Sequence, residues 1–428
     1  MKKVQTNLAG KKLLILGANI ETSRLVLRAR ELGVLTFVSD YDDKAPAKKI
    51  ADYSVNIDCK DLPALEIFIR EKKIDGVLVG VADTIVPYYA QLCKNLGYYS
   101  YASDFQCSYL SNKENFNLLL KQFELPTIPN FTDHDDAIRH AAFPVMVKPQ
   151  IGAASKGVTI CHEPAELQSS ISFARSFSEN GEVLIERFMN CDDVMVFYTI
   201  IDGEIIPHAM GDRHKPVFKK IKSPVYSAIT YPSKHLDTYL KRWHAAIEKM
   251  VKFLGIRNAV LTISAFVEGE NFYFYDPGFR IQGEAPDIHM RSQGIFDQLQ
   301  FLTELAISGE NLSQKNYSSN LTNFNNFLAA TVCVQCGLGQ IVSINGLDEI
   351  AKLEQCFNIS QRLFEGDEII ETMIGTEKQI FARIYLRSKT KIDLRNAIKE
   401  IFMVLSIKNQ FNENMICNGK ELMDPSIV

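Results

Sequence analysis

From Lys12 to Gly97 the apolar residues follow two alternating rhythms. Short unbroken runs, LLIL (13–16), LTFVSD (35–40), SVNI (54–57) and GVLVG (76–80), read as buried strands. Between them, residues 20–32 (apolar at Leu25, Leu27, Ala29 and Leu32), 62–72 and 88–96 have helical spacing. Strand–helix alternation at this spacing predicts a parallel sheet. Ser111 or Asn112 then caps a helix that ends near Glu124, with Pro126 to stop it. From Ala137 to Ser308 strands and helices mix. Hairpins are predicted in VMVFYTIIDGEIIPHAM, turning at Asp202-Gly203, and in AVLTISAFVEGENFYFYD, turning at Glu268-Gly269, with one long helix from Lys234 to Leu254 between them.

KNYSSNLTNFNN (315–326) is polar and unpatterned and reads as a linker. After it, ATVCVQC, GQIVSI and IFARIYLRS read as strands and LRNAIKEIFMVLS as a helix, a small α+β unit. The expected division is a parallel α/β domain at 1–110, a central domain at 111–314 and an α+β domain at 315–428.

The bulk numbers narrow the class. With 428 residues, 46% apolar and 23% charged, the chain is globular and long enough for two or three domains. A net charge of -4 gives no basic surface for nucleic acid. The nine cysteines lack framework spacing, which fits reduced thiols in the cytoplasm. Cys333 and Cys336 form the one CxxC, inside a strand pattern; a zinc site would want a second pair. The basic N-terminus has too short an apolar run for a signal peptide, and no stretch reaches membrane-spanning length. A soluble cytoplasmic protein is expected.

The chemistry concentrates in FPVMVKPQIGAASKGV (143–158). A strand ends at Lys148, and the loop after it holds Gly152, Ser155, Lys156 and Gly157. Small residues let amides approach a ligand, and two lysines beside them suit a polyphosphate; a hairpin with solvated lysines is the plainer alternative. Further on, the strand VLI leads into Glu186, Arg187, Phe188 and Met189, where backbone groups could meet an adenine edge, and then to Asp192 and Asp193, which could take ribose hydroxyls. FYFYDPGFRIQGE closes the second hairpin with Asp276, Arg280 and Glu284: carboxylates for Mg²⁺ and a guanidinium for phosphate or carboxylate. GDRHKP (211–216) is either a solvated loop or a clamp through Arg213 and Lys215. The first turn, GANIETSR, lacks the GxGxxG glycines of a dinucleotide site.

In this order the motifs resemble the ATP-grasp superfamily over nearly the whole chain, nearest to its carboxylate–amine ligase and carbamoyl-phosphate-synthetase-like members. The resemblance implies an ATP-grasp fold, with α/β and α+β parts: an N-terminal parallel-sheet domain and a small C-terminal α+β domain. It implies ATP and Mg²⁺ as cofactors. Lys113 and Lys148 would contact phosphates, with Lys156 and the loop amides from Gly152 through Ser155 to Gly157 over the β/γ end. Glu186 to Met189 would meet the adenine, and Asp193 the ribose. Arg280, Arg213 and Lys215 would act on the transferring phosphoryl group and the substrate. The reaction implied is ligation of a small-molecule carboxylate to an amine through an acyl phosphate, with neither nucleic acid nor membrane as partner and a homodimer favoured.

The chain departs from the family where metal binds. By this resemblance Phe274 stands at the usual glutamate of E-x-N-P-R and Asp276 at its asparagine, while Thr262 falls where the preceding strand's ligand is expected. Either Asp276 holds the metal with Glu284, or the metal site is weakened. A catalytically degenerate nucleotide-binding protein is therefore the alternative reading.

Overall fold

The computed structural model describes residues 8–150, 157–178, 180–216, 225–310, 328–424 and 427. The expected linker at 315–326 lies outside them.

Strands β1 (Lys12–Leu16), β2 (Leu35–Ser39), β3 (Tyr53–Val55) and β4 (Gly76–Val79) form an all-parallel sheet in the order β3-β2-β1-β4. The unbroken apolar runs are buried as their pattern requires; Leu13 to Leu16 are each 0% exposed. Helices Ser23–Glu31, Leu62–Lys72 and Val86–Leu96 fill the connections. A short 3₁₀ turn, Ile20–Thr22, starts the first of them, capped by the Asn19 side chain. The helix Gln298–Ser308, distant in sequence, also packs on this sheet. It comes so close to Gly76 that a Cβ there would lie 2.2 Å from the Ala306 carbonyl oxygen, so only glycine fits.

A second, antiparallel sheet holds β5 (Asn130–Phe131), β6 (Val145–Pro149), β7 (Thr159–Cys161) and β8 (Val183–Arg187), in the order β5-β8-β6-β7. The remaining large strands are β9 (Asp192–Ile201), β10 (Glu204–His214), β11 (Ala228–Tyr231), β12 (Ala259–Glu268), β13 (Asn271–Gly278) and β14 (Leu328–Gln335). They are followed by β15 (Gly339–Gln340), β16 (Ser343–Asn345), β17 (Cys356–Gln361), β18 (Glu368–Ile369), β19 (Ile380–Ser388) and β20 (Ser406–Lys408). Eight of these make one sheet, β13-β12-β9-β10-β11-β14-β19-β17. The segments on either side of 315–326 thus share a single sheet through the β11–β14 pairing.

Both hairpins form. Asp202 and Gly203 take positive φ in the first turn, as its sequence requires. The second closes one residue later than expected, with Glu268 paired to Asn271 and Gly269-Glu270 at the turn. The helix expected from 234 to 254 is two helices, Leu236–Arg242 and His244–Phe253. The break is at Trp243, which leaves helical geometry (φ -121) and turns its ring onto Phe272 and Phe274. Asn112, not Ser111, caps the helix Lys113–Gln122, accepting from the Asn115 amide. Cys333 and Cys336 are both 0% exposed, as a strand CxxC predicts.

Candidate functional site

The helix Lys113–Gln122 presents Lys113 at its first turn, and β6 presents Lys148 near its end. Their neighbours overlap. Burial and then Lys148 press the Lys113 ammonium below its usual range, while Asp276, Glu186 and Asp83 pull it back up. Lys148 and Glu186 lie on strands paired as Met146↔Glu186 and Lys148↔Leu184, which makes them diagonal neighbours on one face. Their side chains meet at 2.5 Å, with Glu186 buried. Glu186 thus orients the lysine. Arg187 turns outward to Glu268 at 2.7 Å. The amides of Arg187 and Phe188 donate to the carbonyls of Pro129 and Pro144. Met189 is buried.

On the facing sheet, Asp193 is the second residue of β9, opposite Arg213 on β10 and Phe266 on β12. Its buried carboxylate binds Arg213 and Lys215, both at 2.7 Å, and accepts from the Tyr275 hydroxyl at 3.1 Å. Burial pushes that carboxyl up, but the two cations outweigh it and hold it below the carboxylate range. Lys215 also lies over the Phe266 ring, 4.9 Å from its centroid. The GDRHKP segment is therefore largely strand rather than a solvated loop: Arg213 and His214 end β10, and Arg213 is locked against Asp193.

The hairpin of β12 and β13 corrects the expected metal alignment. Register runs Ala265↔Phe274 and then Ser264↔Asp276, leaving Tyr275 unpaired in a bulge. The extra residue breaks the usual alternation. Phe274, 0% exposed, turns into the core with Phe272 and Trp243. Tyr275 turns to the site and stacks on Phe266 at 4.6 Å. Asp276, which regular alternation would put on the Phe274 side, instead has Lys113, Asp83, Lys148 and Arg213 as its charged neighbours. Phe274 is a core residue, and Thr262, buried opposite Gly278, is not across from the acid. The residue that is across from Asp276 is Ser264.

Surrounding protein lifts the Asp276 carboxyl above its usual range, Asp83 adds to the rise, and Lys113 and Lys148 oppose it. The carboxylate makes no ion pair or hydrogen bond among the described residues. One free carboxylate with a hydroxyl opposite fits Mg²⁺, which keeps waters and takes most remaining ligands from phosphates. No group of three or more His, Cys, Asp or Glu poised for a metal occurs among the described residues. Glu284 has Glu377, Arg213, Arg383 and Arg280 as its charged neighbours, and Arg213 is common to it and Asp276.

Arg280 reaches the turn after β4, binding Asp83 at 2.5 Å. Beside it is a charged junction that the sequence did not point out. Arg383 on β19, 1% exposed, binds Glu21 at 2.6 Å and Glu377 at 3.1 Å. Arg362 joins Glu21 at 3.3 Å, and Arg24 holds Asp287 at 3.0 Å. Gly152, Ser155 and Lys156 lie outside the described residues. Gly157, at positive φ, packs so closely on Phe177 and Pro149 that a Cβ would lie 2.8 Å from each.

Comparison with known proteins agrees with this geometry. Residues 112–286 match the family described as carbamoyl-phosphate synthase L chain, ATP binding domain. The formate-dependent phosphoribosylglycinamide formyltransferase of Aliivibrio fischeri is 24% identical over 273 residues, which is 61% of this chain and 68% of that protein. An L-amino acid ligase from Bacillus licheniformis superposes with a TM-score of 0.74 at 17% identity, covering 94% of this chain and 99% of that one. Phosphoribosylglycinamide synthetase from Anaerococcus prevotii gives 0.71 at 16% identity, covering 94% and 100%. The chain has the ATP-grasp fold. No helix among the described residues is long and apolar enough to cross a membrane.

Proposed function

We propose that the protein is an ATP-dependent ligase. ATP phosphorylates a carboxylate, an amine attacks the acyl phosphate, and ADP and phosphate leave. The observation that carries this reading is the convergence of Lys113, Lys148 and Arg213 on the free carboxylate of Asp276, within the segment matching an ATP-binding family.

The roles follow from the charges. Lys113 and Lys148 face the phosphates, Lys148 being held in place by Glu186. Asp276, with Ser264 opposite, would hold Mg²⁺, which supplies charge neutralisation on the phosphoryl oxygens when bound. The adenine edge meets the chain at Glu186 to Met189. Since the amides of Arg187 and Phe188 are already engaged, the Met189 amide is the donor left for the base. Asp193 has its oxygens occupied by Arg213, Lys215 and Tyr275, so its role is to aim those two cations at the γ-phosphoryl group rather than to bind ribose. Fixed cations around a transferring phosphoryl group lower its barrier mainly by electrostatics and positioning. Arg280, tied to Asp83, stands on the carboxylate side. Gly152, Ser155, Lys156 and Gly157 are proposed for the β/γ end of the nucleotide. The substrates are small molecules, and a homodimer and a cytoplasmic location go with this reading.

The test is ADP release over a panel of carboxylates, with and without amines. ADP formation that needs a carboxylate and rises with an amine supports the ligase. Tight Mg-ATP binding with no ADP release under any pairing would favour a binding protein instead.

A further inference from the structure

We infer that Tyr275 is a positioning residue for Arg213: set out by the β13 bulge, its hydroxyl fixes the plane of that guanidinium so that one free edge faces the γ-phosphoryl group. The inference rests on the placing of Arg213 at that group and names the residue that holds it there.

The bulge leaves Tyr275 unpaired between the Ala265↔Phe274 and Ser264↔Asp276 pairs. Two successive side chains, Tyr275 and Asp276, therefore serve the site, where a regular strand would send them to opposite faces. The Tyr275 ring lies nearly flat on Phe266, with 4.6 Å between centroids and 17° between planes. Phe266 is on β12, opposite Asp193 of β9. From this seat the hydroxyl reaches past β12, donating to Asp193 Oδ1 at 3.1 Å and accepting from Arg213 Nη2.

A ring stacked on Phe266 needs no hydroxyl; phenylalanine would stack there too. The need for one lies in how Arg213 meets Asp193. An arginine fork commonly grips both oxygens of a carboxylate. Here Nε, at 3.2 Å, and Nη2, at 2.7 Å, both donate to Oδ1, while the Lys215 ammonium lies 2.7 Å from Oδ2. A guanidinium bound to a single oxygen can pivot about it. The Tyr275 oxygen supplies the second fixed point and stops the pivot. Nε then has its one hydrogen engaged and Nη2 both of its own. Nη1 makes no hydrogen bond among the described residues, so it is the edge left to donate to a ligand. Asp276, the acid assigned to the metal, follows Tyr275 directly. One irregularity of β13 thus sets both the metal ligand and the aim of Arg213.

The test is calorimetric titration of the full chain, in Mg²⁺, with a non-hydrolysable ATP analogue and with ADP. The preference for the analogue over ADP reads the γ-phosphoryl contact, whereas damage to the fold weakens both nucleotides. Arg213→Met should lower that preference by about tenfold and Tyr275→Phe by about threefold or more, as for lost hydrogen bonds to a charged group, with ADP affinity held. In the double variant Tyr275→Phe should add nothing to Arg213→Met, because a positioning residue acts only through its partner. The urea midpoint of Tyr275→Phe should stay near the wild type; a variant that does not fold would assign the hydroxyl to stability and overturn the inference. So would a wild type without the preference, an unchanged preference in Tyr275→Phe, equal losses with both nucleotides, or additive losses in the double variant. ADP release over carboxylates and amines is scored separately. The expected preferences without ADP release under any pairing would sink the ligase reading and leave Tyr275 in its role, whereas ADP release with an unchanged preference in Tyr275→Phe would sink that role alone.

Discussion

Lys148 and Glu186 meet at 2.5 Å across neighbouring strands, with side chains 13% and 5% exposed. The lysine proposed for the phosphates is therefore also half of a buried ion pair. Lys148→Met should weaken ATP binding by about 1.5–3 kcal/mol, the size of a lost charge-assisted contact. It should also lower folding stability by about 3 kcal/mol, because Glu186 is left buried and unpaired. Adding Glu186→Gln should restore most of the stability but not the ATP affinity. Urea unfolding and nucleotide titration on the three proteins separate the effects. Unchanged stability in the single variant would show that the pair carries no structural role.

Phe274 is a packing residue in the structure, with Phe272 and Trp243 against it. Phe274→Glu, which would restore the family's usual side chain by sequence, should place a carboxylate in the core without a partner and cost several kcal/mol. Phe274→Leu should be far milder, at about 1–2 kcal/mol. Tighter Mg-ATP binding in a well-folded Phe274→Glu protein would contradict the bulge at Tyr275.

That bulge marks where sequence reading ran out. The hydrophobic rhythm of residues 12–97 fixes strands and helices because each run has a local period. The order Lys148, Glu186, Asp276 was legible because all three end or flank strands. A two-residue period cannot register an inserted residue, so by sequence Phe274 and Asp276 share a face and Thr262 falls at the preceding strand's ligand position, whereas the register sets Ser264 opposite Asp276. The β11–β14 pairing that joins the last segment to the central sheet is a long-range contact with no local pattern. Glu21, Arg362, Glu377 and Arg383 each look like solvated surface in sequence. Only the fold collects them.

His208 and His289 are buried, bonded to Thr199 and Thr331 hydroxyls, and burial takes both down to about 3. His214 is likewise taken down to about 4, by burial first and then Lys234. Each binds a proton in the unfolded chain below about pH 6.5 but not in the folded one. Stability should be full above that pH and fall on acidification, by up to about 1.4 kcal/mol per pH unit for each histidine. The raised carboxyls of Asp212 and Asp287 oppose this, because they favour the protonated folded form at low pH. The slope difference between wild type and His208→Gln isolates one histidine. Urea midpoints from pH 7 to 5 should fall less steeply in the variant; parallel slopes would contradict a neutral buried His208.

Asp276→Asn keeps size and removes the free carboxylate. The Mg²⁺ enhancement of ATP binding should disappear, while ATP affinity without Mg²⁺ should hold or rise, since a negative charge near the phosphates is gone. Titration with and without Mg²⁺ checks both. A retained Mg²⁺ effect would place the metal elsewhere.

The central claim is an acyl phosphate, and oxygen transfer tests it most directly. A carboxylate that supports ADP release is supplied with ¹⁸O in both oxygens, together with ATP, Mg²⁺ and an amine. Phosphorylation of the carboxylate followed by amine attack on carbon sends one ¹⁸O per turnover into inorganic phosphate, read by mass spectrometry or ³¹P NMR. The account predicts phosphate carrying one ¹⁸O in step with amide formation. Phosphate free of ¹⁸O while ADP accumulates, or AMP in place of ADP, would contradict it.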